Sequence, residues 1–487
     1  MGVSILCRSS RWKIRGEQEK GMLFNSSDFL KFLLAFCLAY YLVRNRLRLR
    51  NLLVVFASYA FYGWWDWRFL GLIIISTLLD YLVGRGLGRT AQPGARRLLL
   101  AASVTGNLLI LGFFKYYDFF AASLERILEM LGLRADLPSL GMVLPVGISF
   151  YTFQTMSYSF DVYRGVIPPT RDLAAFAAYV AFFPQLVAGP IERAHRLLPQ
   201  FLTSRVITRE MLAEGVWLFI RGMFKKVVIA DSLAPIADAV FAASCPSAPA
   251  VLLGVMAFGL QIYCDFSGYS DIARGTAKFF GFNLMTNFDL PYLARSIRDF
   301  WHRWHISLST WLRDYLYIPL GGNRRGPVRT LINIMFTMLL GGLWHGAAWH
   351  FVVWGAWHGL GLCAERVFPG TAPTSRRTLA TDALRWMFTM LFVFYGWLLF
   401  RAASLEQAAS MTLSLADWRI TGWIWYGWMT AAVLGLFLCA VENPLTARIC
   451  GRAAEGRVLG ALLQGGMVLL IAALWSPGAR PFIYFQF

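Results

Sequence analysis

The chain is short of charge. Asp, Glu, Lys and Arg make up 15% of its 487 residues, against about 25% in a soluble domain, and this deficit excludes an ordinary water-soluble globule. The motifs of several enzyme classes are missing too. There is no P-loop, no Rossmann glycine fingerprint and no GxSxG elbow in a convincing context, and no HExxH pair for zinc. The seven cysteines (Cys7, Cys37, Cys245, Cys264, Cys363, Cys439, Cys450) contain no CxxC pair and no regular spacing. An odd number in apolar surroundings argues against a disulfide framework or metal site and for small core hydrophobes. No apolar core of signal-peptide length precedes Met22, so we do not expect the start of this sequence to act as a cleavable leader. We find no soluble domain and no internal repeat.

What the chain has in abundance is apolar surface. Hydrophobic residues reach 57% and aromatics 16%, with 19 Trp, and the mean hydropathy is +0.52. Such a composition reads as an all-α polytopic membrane protein with interfacial aromatic belts. The net charge of +19 is spread over short loops and forms no single basic face, so it sets membrane orientation and does not call for nucleic acid. Apolar segments run over Phe29–Val43, Leu52–Trp65, Phe69–Val83, Leu98–Phe114, Val251–Tyr263, Leu331–Trp344, Ala347–Cys363, Trp386–Phe400, Trp423–Val441 and Leu459–Trp475. At roughly 20 residues per crossing this predicts roughly ten to twelve membrane segments, several of them short or re-entrant. Positive-inside counting puts Arg44–Arg50 and Arg85–Arg97 in the cytoplasm. The N-terminus is then external, which fits poorly with the five basic residues before Met22. We therefore expect residues 1–21 to be a non-native or flexible extension, translation to begin at Met22, and residues 22–487 to form one membrane domain.

Some segments depart from simple spans. Gly141–Phe160 is apolar but carries Pro145, Gly147 and several hydroxyls, and Ala174–Pro190 ends in FFPQLVAGPIER. Broken backbone at membrane depth is tolerated where it packs in protein or lines a wet cavity. Phe119–Leu133 reads as amphipathic, and Met211–Ile229, with Arg221, Lys225 and Lys226, suits an interfacial helix.

Five of the six histidines fall between Ile297 and His358, among seven tryptophans. A titratable group in hydrocarbon costs on the order of 2.5 kcal/mol or more, so each is a functional candidate. His345, in GGLWHGAAWHFVVWG, ends an apolar run beside Gly341, Gly342 and Gly346, which allow close approach of a backbone or ligand. A neutral imidazole there is suited to take a proton from a hydroxyl; a buried, carbonyl-bonded histidine is the plainer alternative. His302 and His305 are three apart and are expected to share a helical face or nearly so, with Asp299 in reach of Arg303. They could equally belong to an interfacial anchor helix. His302, His305 and His345 together could make a zinc site, although no further ligand or supporting shell is visible. His350 and His358 read more readily as structural. The stretch Tyr263–Tyr292 is polar for its setting: Asp265, Ser267, Tyr269, Ser270, Asp271, Arg274 and Asn283 must pair or line a hydrated cavity. An ion pathway, a donor funnel and a structural network all fit. LGGNRRG, from Leu320 to Gly326, could hold an anion or be a positive-inside loop.

Taken in order, the motifs PVGISFYTFQTMSYSFDVYRG, FFPQLVAGPIER, CDFSGYSDIARGTAKFFGF, RDFWHRWHISLSTWLRDYLYIPLGGNRRG, LGGLWHGAAWHFVVWGAWHG and FIYFQF resemble the membrane-bound O-acyltransferase superfamily, in its bacterial alginate O-acetyltransferase-like branch. The resemblance runs from about Met22 to the end of the chain. It implies a ring of transmembrane helices with a cytoplasmic funnel leading to a central histidine. It gives His345 the role of catalytic base and makes His305 the second catalytic histidine. The residues expected to bind substrate are Asp265, Tyr269, Asp271, Arg274, Asn283, Arg303, Trp304, Ser307 and Trp344. No bound cofactor is implied; an acyl thioester, acetyl-CoA, serves as co-substrate. Expected partners are membrane lipid, a periplasmic SGNH-type acetyltransferase and the polysaccharide biosynthesis machinery, at a bacterial inner membrane. The competing expectations are a transporter or channel with an intramembrane His/Asp pathway, and a structural assembly subunit.

Overall fold

The helix Ala248–Phe279, 32 residues long, is the axis of the protein. In this computed structural model, which describes residues 22–187, 189–368, 378–420, 422–451, 458–476 and 480–483, 78% of its most apolar 18-residue window is buried. The expected extension 1–21 lies outside the described residues. All regular structure among the described residues is helical. Six helical stretches are long and apolar enough to cross a bilayer: Leu47–Leu87, Pro93–Met130, Ala248–Phe279, Pro327–His345, Leu379–Arg401 and Gly422–Glu442, with Val458–Leu474 a shorter apolar helix. The first two are not straight rods. Leu47–Leu87 breaks at Asp66–Phe69, where Asp66 turns its carboxylate onto the Arg68 N–H. Pro93–Met130 passes through a π turn at Gly112–Tyr116.

The helix Arg209–Met223 runs on as a π-helical stretch, Phe224–Ala230, and packs along the central helix. Close approach explains the fit: a Cβ on Gly222 would lie 2.5 Å from the Gly268 carbonyl oxygen, and one on Gly275 would lie 2.6 Å from that of Gly215. Two of the three cations of Met211–Ile229, expected to mark an interfacial helix, turn into the protein. Lys225 and Lys226 are each 1% exposed, because they neutralise carboxylates inside the helical body: Lys225 pairs with Asp271 and Glu442, Lys226 with Asp231 and Asp265. Arg50 is likewise not a loop cation. It is buried, and its guanidinium donates to Asn51 Oδ1 and to the carbonyls of Gln200, Phe201 and Thr203.

The Pro- and Gly-marked breaks fall where the sequence puts them. Gly147 has φ +75°, and any Cβ there would meet the Leu186 carbonyl at 2.7 Å; the helix Ile148–Tyr163 starts directly after it. Leu173–Ala181 ends at Phe182, and a single turn, Phe183–Leu186, follows. The second break is buried in protein, with Phe182 and Phe183 fully enclosed, whereas Val146 and Gly147 at the first are partly exposed.

Candidate active site

His345 is the last residue of the helix Pro327–His345. The chain extends through Gly346 and returns as Trp349–Val367. Two glycines set the spacing of this hairpin: a Cβ on Gly342 would lie 2.2 Å from the Phe351 carbonyl oxygen, and one on Gly355 2.3 Å from that of Met338. A helix end leaves carbonyls without intrahelical partners. Here they are capped from the π turn at Gly112–Tyr116, where Lys115 Nζ donates to the Trp344 carbonyl (2.6 Å) and the His345 carbonyl (3.4 Å), and the Tyr116 hydroxyl donates to the Leu343 carbonyl (3.0 Å). A cation at a helix C-terminus also complements the helix dipole. Lys115, at the tail of an apolar run, carries no motif that marks it for this position.

The His345 side chain sits in an aromatic collar. The rings of Trp354 and Phe400 stand edge-on to it, with centroids 5.0 and 5.3 Å away. Trp344 joins the two catalytic candidates, its ring lying 5.0 Å from that of His345 and 5.9 Å from that of His305. Both imidazoles are buried.

His305 reaches this place by a route the spacing did not predict. Ile297–Arg303 is a short helix that ends there, Trp304 is extended, and His305 has φ 44° and ψ 52° before a new helix, Ile306–Leu312. His302 and His305 are therefore on different elements and not on one face; His302 is exposed while His305 is buried. The expected Asp299–Arg303 pair forms, at 2.8 Å. A left-handed backbone at a non-glycine residue costs on the order of 1–2 kcal/mol and persists only where its surroundings enforce it. Here the enforcement comes from Asn287. Its main-chain carbonyl accepts from the Ile306 N–H (2.9 Å), and its side-chain oxygen accepts from the Ser307 N–H (3.1 Å) and the Ser307 hydroxyl (2.8 Å).

Asn287 also lines a small cavity of about 20 Å³, together with Arg221, Lys225, Tyr263, Ser267, Ser270, Asp271, Arg274, Phe288 and Glu442. Asp271 accepts from Arg221 at 3.0 and 2.7 Å and pairs with Lys225 at 2.5 Å and Arg274 at 3.5 Å. With the Lys225–Glu442 pair at 2.8 Å, these contacts join three cations and two carboxylates in one buried network. A second small cavity, of about 30 Å³, is lined by Lys226, Asp231, Asp238, Asp265 and Arg401, among others.

Of the residues expected from sequence, Asp271 and Arg274 line the first cavity, and Ser307 and Trp344 pack around His305. Asp265 lies on the second cavity, where it also accepts the Ile483 N–H. Tyr269 stacks on Phe24 and meets Phe482 at a tilt. Trp304 is packed between Phe300 and Trp397. Arg303 binds Asp299 and the Asp289 carbonyl, and Asn283 is exposed, bonded to Gln200 and Lys278. The asparagine facing the site is thus Asn287, four residues on. His358 is buried among Trp301, Trp354 and Phe392, and the His350 ring lies tilted against that of Phe351, with centroids 4.1 Å apart.

Comparison with known proteins gives this geometry its context. Residues 166–409 match the membrane-bound O-acyltransferase family, MBOAT. The chain is 48% identical over 408 residues to a probable alginate O-acetylase, AlgI, of Azotobacter vinelandii, covering 82% of this chain and 80% of the relative. It is 45% identical over 405 residues to the AlgI of Pseudomonas aeruginosa, covering 82% and 76%. A peptidoglycan O-acetyltransferase of Helicobacter pylori is 35% identical over 418 residues, covering 80% and 78%. With a matching family domain, relatives of this identity along most of both chains and a helical body rich in membrane-spanning segments, this chain belongs to the membrane-bound O-acyltransferases, in the alginate O-acetylase branch, and is a multi-pass membrane O-acyltransferase.

Proposed function

We propose that this enzyme moves an acetyl group from a cytoplasmic thioester, acetyl-CoA, to hydroxyls of an extracytoplasmic polysaccharide of the alginate type, from a bacterial inner membrane. The names of its relatives support the acceptor class. The observation that carries the reading is His345, buried in an aromatic collar at a helix end that Lys115 and Tyr116 hold in place.

In this reading the imidazole of His345 takes the proton of the acceptor hydroxyl as its oxygen attacks the thioester carbonyl. The tetrahedral intermediate collapses by breaking the C–S bond. The departing thiolate takes the proton from the imidazolium, which leaves an ester, a free thiol and neutral histidine. The acceptor is a polymer hydroxyl, reached directly or by way of a serine on an SGNH-type periplasmic partner. Exclusion of water by the aromatic collar would protect the thioester from hydrolysis.

The test is release of free CoA from labelled acetyl-CoA by purified protein in nanodiscs, with and without added alginate. Wild type is expected to release CoA in an acceptor-dependent manner. His345→Ala, still folded by its thermal melt, is expected to release none. Retained transfer in that variant overturns the proposal.

A further inference from the structure

The position of Asn287 decides the protonation of His305. The backbone N–H of Ser307 can only donate, so the Asn287 atom 3.1 Å from it is the carbonyl oxygen. The amide nitrogen then faces Ser270, to whose hydroxyl it donates at 3.3 Å. His305 Nδ1 lies 3.2 Å from that same carbonyl oxygen. An oxygen that only accepts can face a ring nitrogen in a buried site only if the nitrogen carries the hydrogen; otherwise two lone pairs oppose each other. Neutral imidazole has one N–H. With that hydrogen on Nδ1, Nε2 is the nitrogen with the lone pair.

We propose that Asn287 is a positioning residue that fixes His305 as the Nδ1–H tautomer, so that whatever contact His305 makes at the reaction centre through Nε2 is that of a hydrogen-bond acceptor and not of a donor. This rests on the reading of His345 and His305 as the reaction centre. Neutral His305 then offers no hydrogen to the developing oxyanion, a role that falls to backbone N–H groups. Asn287 controls the residue twice, once through the main-chain bond that enforces the left-handed turn and once through the side-chain oxygen that selects the tautomer. The ring between these restraints is packed edge-on against Phe266, with centroids 4.6 Å apart.

With six histidines in the chain, solid-state NMR of the full-length protein labelled with ring-15N histidine is practicable, and the His305 signals are assigned by their loss in His305→Gln. A protonated Nδ1 and a bare Nε2 in wild type are expected; the reverse arrangement overturns the proposal. Asn287→Asp keeps an accepting oxygen, whereas Asn287→Leu removes it. Asp is expected to preserve the tautomer and most of kcat. Leu is expected to give mixed tautomers and to lower kcat by about 100-fold, the scale of a misplaced reacting group, with KM for acetyl-CoA nearly unchanged. Unchanged kcat in the Leu variant, or an equal loss in both, overturns the positioning role. Should the Leu variant not fold, the wild-type spectrum decides alone. The spectrum is read without turnover, so a wrong tautomer and a failure of the His345 reading are separate results.

Discussion

Replacing Gly342 with alanine tests how tightly the reaction centre depends on its hairpin. The added methyl would lie 2.2 Å from the Phe351 carbonyl oxygen, an atom of the facing helix that no rotamer change can move. Ordinary contact needs well over 3 Å, so the helices Pro327–His345 and Trp349–Val367 must part by on the order of 1 Å, a misplacement that costs about 100-fold in rate when it reaches reacting groups. His345 is three residues along, and Trp354 of its collar is on the opposing helix. Overpacking also destabilises by about 1–3 kcal/mol, which lowers Tm without unfolding the protein at assay temperature. Gly435→Ala is the control: that glycine lies mid-helix in Gly422–Glu442 with nothing within 4 Å of the added Cβ, so alanine should leave kcat alone and stabilise by about 0.5–1 kcal/mol. CoA release and thermal melts are measured on both variants in one lipid composition. Wild-type kcat in Gly342→Ala would refute the claim that hairpin spacing places His345.

Other perturbations probe the supports. Lys115→Met removes the donor that caps Trp344 and His345; with charged hydrogen bonds worth about 1.5–3 kcal/mol, a lower Tm and at least a tenfold loss of kcat are expected, read by the same assay. Lys226→Met strips the cation from Asp231 and Asp265, and breaking a buried pair from one side costs about 3–5 kcal/mol; a normal yield and Tm would contradict it. Burial pushes the Glu192 carboxyl up to about 7, against the opposing Met285 N–H that bonds it. The folded state therefore binds this proton more tightly than the unfolded chain does, and stability falls as pH rises from the ordinary carboxylate range towards 7. Glu192→Gln should shrink the difference in Tm between pH 5 and pH 8.

Much of this was legible in the chain. Periodic apolar runs located the helices because burial in lipid demands them. Pro145–Gly147 marked a break because a left-handed residue against a neighbouring carbonyl admits only glycine. His345 stood out as a polar residue at the end of an apolar helix. What was not legible depends on partners distant in sequence. Arg50, Lys225 and Lys226 look like orientation signals until their carboxylates and carbonyls are found far along the chain. His302 and His305 looked like neighbours on one helix because the left-handed turn at His305 carries no glycine to announce it. The stretch Phe280–Ser296 is largely irregular, so no periodicity could tell that Asn287, and not Asn283, faces inward.

The buried ionic core has a consequence for how the protein is made. Lys225 waits for Glu442, 217 residues later, and Asp265 for the Ile483 N–H, 218 residues later. For more than two hundred residues of synthesis these groups stand in or beside the bilayer with only their nearer partners, Asp271 and Lys226, where an incompletely compensated charge is expensive. The helices Arg209–Met223 and Ala248–Phe279 therefore have reason to settle late, after the Gly422–Glu442 helix has arrived to neutralise them. Assembly of this enzyme is governed by long-range pairing and should be slow, with partly inserted chains dependent on the cell's insertion and quality-control machinery until the final contacts close.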